Sequence, residues 1–180
     1  MTPHLADTPV LRTERLTLRA PAPQDAEAFV AYYGTDRSRY TGGPMMPRMA
    51  WHFFGSEIGH WAVRGFGMFT VTRSDNDRAL GIIGHWYPLD WPEREVGWVL
   101  FEGEGQSIAY EAARACIDHA YGPLGWDTAV SYIDPENSRS IALAERLGAS
   151  LDRAATPPTR KDPNAPAALV YRHPAPERLQ

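Results

Sequence analysis

Residues 95–149 decide the reading of this chain. They run Glu95-Val-Gly-Trp-Val-Leu-Phe101, then Gly103-Glu-Gly105-Gln-Ser107-Ile-Ala-Tyr-Glu111, then Thr128-Ala-Val-Ser-Tyr-Ile133, then Asp134-Pro-Glu-Asn137-Ser-Arg-Ser140-Ile-Ala-Leu-Ala-Glu-Arg-Leu-Gly148. The first run is an apolar strand. A glycine loop follows and opens a helix from Ser107 to about Tyr121, ended by Gly122-Pro123. Thr128–Ile133 is a second strand, and Pro135–Leu147 is a helix closed by Gly148. A strand that feeds a glycine loop into a helix N-terminus makes an anion site. The first N–H groups of the helix have no partner within it, and the positive end of the helix dipole lies at the same place.

Working outward, Leu11 to Arg19 alternates Leu/Thr with Arg/Glu and predicts a first strand. Pro23-Gln-Asp25-Ala-Glu27 has the proline and acidic residues of a first helical turn, in a helix that Gly34 stops after Tyr33. A Gly/Pro/Met-rich stretch, Thr41 to Arg48, precedes a second helix near Met49–His60. Gly67–Arg73 and Ala79–Tyr87 are strand-like and joined by the polar Ser74-Asp-Asn-Asp77, which predicts a hairpin. Ser150–Ala154 and Ala168–His173 form a last strand pair across a Pro-rich loop from Thr156 to Pro166. The order predicts an α/β fold with a mixed sheet, with no internal repeat and no domain boundary.

A chain of 180 residues fits one domain. The net charge of -4, without a basic stripe among the aromatics, argues against nucleic acid as a partner. Cys116 is the only cysteine, which leaves no disulfide framework within the chain and favours a reducing compartment. Residues 1–10 hold no apolar leader core, and no run approaches the ~18 apolar residues of a membrane span. A cytoplasmic domain without a membrane partner is therefore expected. His4, His52, His60, His119 and His173 show no metal-ligand spacing and H-E-x-x-H is absent, so no metal is expected.

The order and spacing over 95–149 resemble the acyl-CoA-binding core of the GNAT N-acetyltransferase superfamily, and within it the branch containing the ribosomal-protein N-acetyltransferases. Leu11-Arg-Thr-Glu-Arg-Leu-Thr-Leu-Arg19, and Trp91-Pro92 ahead of Glu95-Val-Gly-Trp98, look like that branch too. The resemblance implies one domain over 11–174 with tails at 1–10 and 175–180. It implies a central, mostly antiparallel, splayed sheet flanked by about four helices, an α/β fold of the α+β mixed-sheet kind.

It also implies acetyl-CoA as co-substrate and a small-molecule or peptide amine as acceptor, in a monomer or homodimer. CoA would lie along Trp98, Val99 and Phe101 and over the loop positions Gly105, Gln106, Ser107, Ile108 and Ala109, with Asn137 on the pantetheine arm. Gly105 and Ala109 match the family's glycine pattern, whereas Glu104 and Ser107 depart from it. Glu104, with Glu102 nearby, puts negative charge where a pyrophosphate should lie. Ser107 carries a Cβ where positive φ favours glycine, although its hydroxyl can cap the helix or donate to a phosphate. CoA binding weakened by both departures is expected.

The resemblance makes Glu95 a general base for the acceptor ammonium, the strand backbone near Trp98–Val99 a polariser of the thioester carbonyl, and Ser140 the partner of the departing thiolate. Each has a plainer reading. Glu95 can be a solvated strand-edge group, and Asn137 and Ser140 can be helix-start residues after an Asp134-Pro135 cap. Asp90, Glu93 and His85 are the other bases nearby. Ala144 stands where many relatives carry a tyrosine acid. Tyr32, Tyr33, Tyr40, Met45, Met46, Trp51, Phe53 and Phe54 are either core or acceptor pocket. The functional alternative is a non-catalytic acyl-CoA-binding or protein-interaction domain on the same fold.

Overall fold

The computed structural model of the protein describes Leu5, residues 8–159 and residues 165–175. Most of the expected tails, 1–10 and 175–180, and the middle of the Pro-rich loop, 160–164, lie outside the described residues. The opening alternation, expected as one strand, is a hairpin. In it β1 (Leu11–Arg12) pairs antiparallel with β2 (Leu16–Arg19), Leu11 opposite Leu18. Its turn is held from far along the chain: Glu111 accepts from the Thr13 hydroxyl at 2.5 Å and from the Arg15 N–H at 3.0 Å. A period of two carries no sign of such a partner.

A 3₁₀ turn over Pro23–Asp25 leads into α1 (Ala26–Tyr33). Buried Asp25 anchors it, accepting from the Ala22 N–H and the Thr70 hydroxyl, each at 2.8 Å, and from both terminal nitrogens of Arg19 at 2.7 and 2.9 Å. The second helix is longer than expected. As α2 (Pro47–Arg64) it starts on a proline, where no N–H is needed, and ends at Gly65 with φ +76°. The predicted hairpin is β3 (Met68–Arg73) and β4 (Asn76–Trp86), its turn cut to two residues because Arg73 already pairs with Asn76.

The remaining elements are β5 (Glu95–Leu100), α3 (Ile108–Tyr121), β6 (Val130–Ile133), α4 (Ser138–Arg146), β7 (Ser150–Leu151) and β8 (Leu169–Arg172). The start of α4 differs from the expectation: Asn137 is its cap, with Oδ1 accepting from the Ser140 N–H at 3.2 Å. Asp134-Pro135 stays outside the helix, where Asp134 accepts from the Glu136 N–H at 2.9 Å.

Among the described residues the strands form one sheet in the order β1-β2-β3-β4-β5-β6-β8-β7, antiparallel everywhere except between β5 and β6. Alternation along the strands builds two cores. Met68, Ile82 and Val99 pack with Phe29, Tyr33 and Phe54 of α1 and α2. Phe69, Val71, Ile83 and Val96 pack with Ala112, Cys116 and Ala120 of α3. The parallel pair is the weak seam, since β5 and β6 register only at Glu95 opposite Val130. One step on, the Ser131 hydroxyl still reaches Val96 O at 2.6 Å, and beyond it β6 pairs only with β8. The mixed sheet is therefore splayed in its middle. No helix is long and apolar enough to cross a membrane.

Candidate active site

The splay opens into a cleft of about 300 Å³. Its walls are the second half of β5, the loop 101–107, the first turns of α3 and α4, and the chain after α1. Trp98, Val99, Gly105, Ser107, Ile108, Ala109, Asn137 and Ser140 all line it. Two residues expected there do not. The Phe101 ring packs against Phe29 and Tyr32, at centroid distances of 6.0 and 5.3 Å. The Gln106 side chain is held outside by a hydrogen bond from Arg73. Both positions follow the loop pattern in sequence, but a tertiary partner claims each side chain.

At the loop end the first turn of α3 faces the cleft, and its N–H groups have no partner inside the helix. Gly103 and Gly105 both take φ +80°, and Ser107 takes φ +59°, the left-handed region despite its Cβ. The Ser107 hydroxyl makes no cap; it accepts from Arg146 Nη1 at 3.2 Å, and that guanidinium lies 4.1 Å over the Tyr110 ring. Glu104, expected to set negative charge against a pyrophosphate, is paired with two arginines. Arg37 and Arg139 reach its two oxygens at 2.7 and 2.8 Å, while Glu102 pairs with Arg78 at 2.7 Å. The Arg37 hydrogen bond above all, then the Arg139 charge, holds the Glu104 carboxyl below the usual range. Arg139, Leu143 and Arg146 fall at i, i+4 and i+7 of α4, so helical spacing could have placed them on one face. Arg37 had no such signal.

Toward the middle of β5, Trp98 Nε1 donates to Ser140 Oγ at 3.1 Å, which leaves the Ser140 proton free to point elsewhere. Successive strand amides point to opposite edges. Phe101 N–H donates to Leu80 O on the β4 side, and Val96 O receives Ser131 on the β6 side. Of the two backbone donors expected, the Trp98 amide therefore turns to the cleft and the Val99 amide to β4. Ala144 is fully buried with Ile133, Ala149 and Tyr171, away from the cleft.

Glu95 begins β5 on the α2 side of the sheet and is no solvated edge group. Its Oε2 accepts from Trp91 Nε1 at 2.6 Å and its Oε1 from the Tyr132 N–H at 3.4 Å. Burial pushes its carboxyl up to about 7 against these hydrogen bonds. The other bases are worse placed. Glu93 is held by both terminal nitrogens of Arg172, at 2.8 and 2.9 Å. His85 is fully buried on the α3 side, its Nε2 2.9 Å from Cys116 O, and burial pushes it down to about 4. Asp90 is exposed.

Of the aromatic and methionine group, Tyr32 and Tyr40 line the cleft, Tyr33 and Phe54 are core, and Met46 and Trp51 are 73% and 60% exposed. A second acid, Glu57, was missed. It lies on the buried stripe of α2 that contains Ala50, Phe54 and Trp61, and a carboxylate at that spacing was the signal. Among the described residues no group of three or more His, Cys, Asp or Glu is placed to hold a metal ion.

The chain matches the acetyltransferase (GNAT) domain family over residues 15–150. It is similar to the structure of an acetyltransferase from Agrobacterium tumefaciens str. C58, with 38% identity and a TM-score of 0.84 over 96% of this chain and 98% of that one. It shares its fold with RimL, a ribosomal L7/L12 alpha-N-protein acetyltransferase, with 15% identity and a TM-score of 0.74 over 95% of this chain and 97% of that one. Among curated proteins, the uncharacterized protein YkkB of Bacillus subtilis (strain 168) is 36% identical over 55 residues. That match spans 30% of this chain and 32% of the other.

Proposed function

Because this chain belongs to the GNAT acetyltransferase family, we propose that it transfers an acetyl group from acetyl-CoA directly to a primary amine of a small molecule or peptide. One observation carries the reading. A single cleft runs from an anion-ready helix N-terminus along the splayed β5 as far as Trp98, and on the same strand, three residues before it, stands Glu95, its carboxyl raised by burial. The residues present fit acetyl-CoA. The first turn of α3, with Arg37, Arg139 and Arg146 around it, suits the diphosphate, and Asn137 and the β5 backbone suit the pantetheine amides. Acetyl-CoA supplies an activated acyl group on a thiol that leaves readily.

The chain's own groups divide the remaining work. The Trp98 amide donates toward the carbonyl oxygen of the thioester, where negative charge develops. Glu95 accepts a proton from the acceptor ammonium, directly or through one water, because only the neutral amine attacks. Ser140, its oxygen already engaged by Trp98 Nε1, directs its own proton to the departing sulfur. With Ala144 in the core, no tyrosine on α4 competes for that role.

The test has two parts, melting temperature with acetyl-CoA and thiol release with a panel of primary amines. A ligand at ~100 times its dissociation constant stabilises a fold by about 2.7 kcal/mol, so saturation should raise the melting temperature measurably. Amine-dependent thiol release is the expected result. A melting shift without turnover on any amine would instead support the acyl-CoA-binding reading, which Ala144 favours.

A further inference from the structure

Glu57 has no task in that reading. It sits on the sheet-facing side of α2 and is only 3% exposed, yet its Oε2 has no hydrogen-bond partner, and among the described residues it belongs to no ion pair. An unsatisfied buried carboxylate is costly, and a leucine on this apolar stripe would avoid the cost. The groups facing it are no help. On its own helix, His60 has both ring nitrogens engaged, Nδ1 with Phe66 O at 2.7 Å and Nε2 with the Tyr87 N–H at 2.9 Å. From α1 comes Tyr33, itself held neutral by burial and then by the charge of Glu57. From β5 comes Glu95, whose charge repels it.

Beneath α2 the strand carries no side chain at Gly97. On that face β5 presents Glu95, Gly97 and Val99, and a Cβ built on Gly97 would have as its nearest neighbours Glu95 Oε1 at 3.6 Å and Met68 Cε at 3.7 Å. Aromatic rings of one cluster pack on this face of the sheet, with Tyr33 and Phe53 at 5.1 Å between centroids and Phe53 and Trp86 at 6.4 Å. Two carboxylates within reach of each other's charge, neither paired with a cation among the described residues and both beside aromatic faces, suit a positively charged guest.

We propose that Glu57 is the second carboxylate of the acceptor site, pairing with Glu95 around the acceptor's ammonium, so that the enzyme selects primary alkylammonium ions over neutral amines. The assignment rests on the acetyltransferase reading and deepens it. Burial, and then the charge of Glu95, push Glu57 up to about 8, while Glu95 lies at about 7, so near neutrality the pair retains about one proton and one negative charge. One ammonium balances that charge. Glu95 takes an N–H proton, the freed lone pair forms the N–C bond to the acetyl carbon, and the C–S bond breaks with its electrons on sulfur. The proton lost by the acetylated nitrogen neutralises the thiolate, and the proton on Glu95 returns to water.

The experiment uses methylammonium chloride, small enough for any ammonium site, against sodium chloride at equal ionic strength, and reads the melting temperature with and without acetyl-CoA. Wild type should show a methylammonium-specific rise. Glu57→Gln should weaken it at least tenfold in apparent Kd while leaving the acetyl-CoA shift unchanged, and should melt higher than wild type in sodium chloride. An undiminished methylammonium effect in Glu57→Gln, or none in wild type, overturns the assignment. A second measurement needs no variant: methylammonium added to weakly buffered wild type at about pH 6.5, where the pair still holds more than one proton, should release protons as it moves to the singly charged state, and no release counts against it. Neither readout depends on turnover, so loss of the acetyl-CoA shift or of amine-dependent thiol release would mark failure of the enzymatic reading instead.

Discussion

In the proposed mechanism Glu95 and Ser140 divide the proton traffic of the site between them. An alkylammonium has a pKa near ~10.4, so at neutral pH almost none of it is nucleophilic until a base acts. Burial lifts Glu95 to about 7, where a general base is best matched to neutral solution. Turnover with an amine should rise with pH along a limb centred near 7. Glu95→Gln should remove that limb and lower kcat/KM by ~10²–10⁴-fold with the acetyl-CoA melting shift intact. Initial rates across about pH 5.5–9 check this, and a limb that survives in the variant would return Glu95 to a packing role. Ser140→Ala should slow acyl transfer by roughly 10–150-fold, the worth of one hydrogen bond to a developing charge. It also strips Trp98 Nε1 of its acceptor, at about 1 kcal/mol of stability. The two effects separate with donors whose thiol leaves more readily, since only the rate deficit should shrink.

At the scale of elements, the start of α3 is built against local preference. Ser107 takes φ +59°, which costs a residue with a Cβ ~1–2 kcal/mol, and its hydroxyl is committed to Arg146 rather than to a cap. Ser107→Gly should relieve most of that strain and raise the melting temperature by ~2–4 °C for a chain of this size, less whatever the Arg146 contact contributes. It should also enlarge the acetyl-CoA shift, because no Cβ then stands beside the phosphate-facing amides. Ser107→Ala keeps the strain and loses the hydroxyl, so it should gain nothing. Thermal melts of both variants with and without acetyl-CoA decide the matter. An equal gain from alanine would show that the hydroxyl, and not the backbone, is at fault. Across the cleft, Arg37 and Arg139 hold Glu104 from two different elements, so the acid that looked repulsive is paired and the loop is tied to both walls.

For the whole molecule, buried titratable groups of opposite kinds set how stability follows pH. His85 and His173, both pushed down to about 4 by burial, bind fewer protons folded than unfolded, so stability is lost as pH falls from about 6.5 toward 4. Glu57 and Glu95, pushed up to about 8 and about 7, retain protons that the unfolded chain releases above about 4.5, so stability is lost as pH rises toward 8. Above about 6.5 only the carboxylates still act. Between about 4.5 and 6.5 the two pairs oppose each other and nearly cancel, so the melting temperature should be close to level there and decline from about 6.5 to about 8, and Glu57→Gln should flatten that decline. An unchanged slope in the variant would mean that Glu57 is ionised or hydrated in the fold. By itself the sequence determined the element order, the glycine loop leading into α3, and the strand and short helix carrying Asn137 and Ser140. These are legible because a helix end, a glycine turn or a period of two depends on residues within a turn or so of each other. It already erred where a distant group intervenes, as at the Thr13–Arg15 turn tied to Glu111, or at Gln106 drawn away by Arg73. Only the tertiary structure decided that β5 and β6 part after one registered pair, that Arg37 reaches Glu104 across 67 residues of chain, and that Glu57 is buried within reach of the Glu95 charge. Desolvation and ion pairing depend on what packs around a group in space, and neighbours along the chain do not encode that.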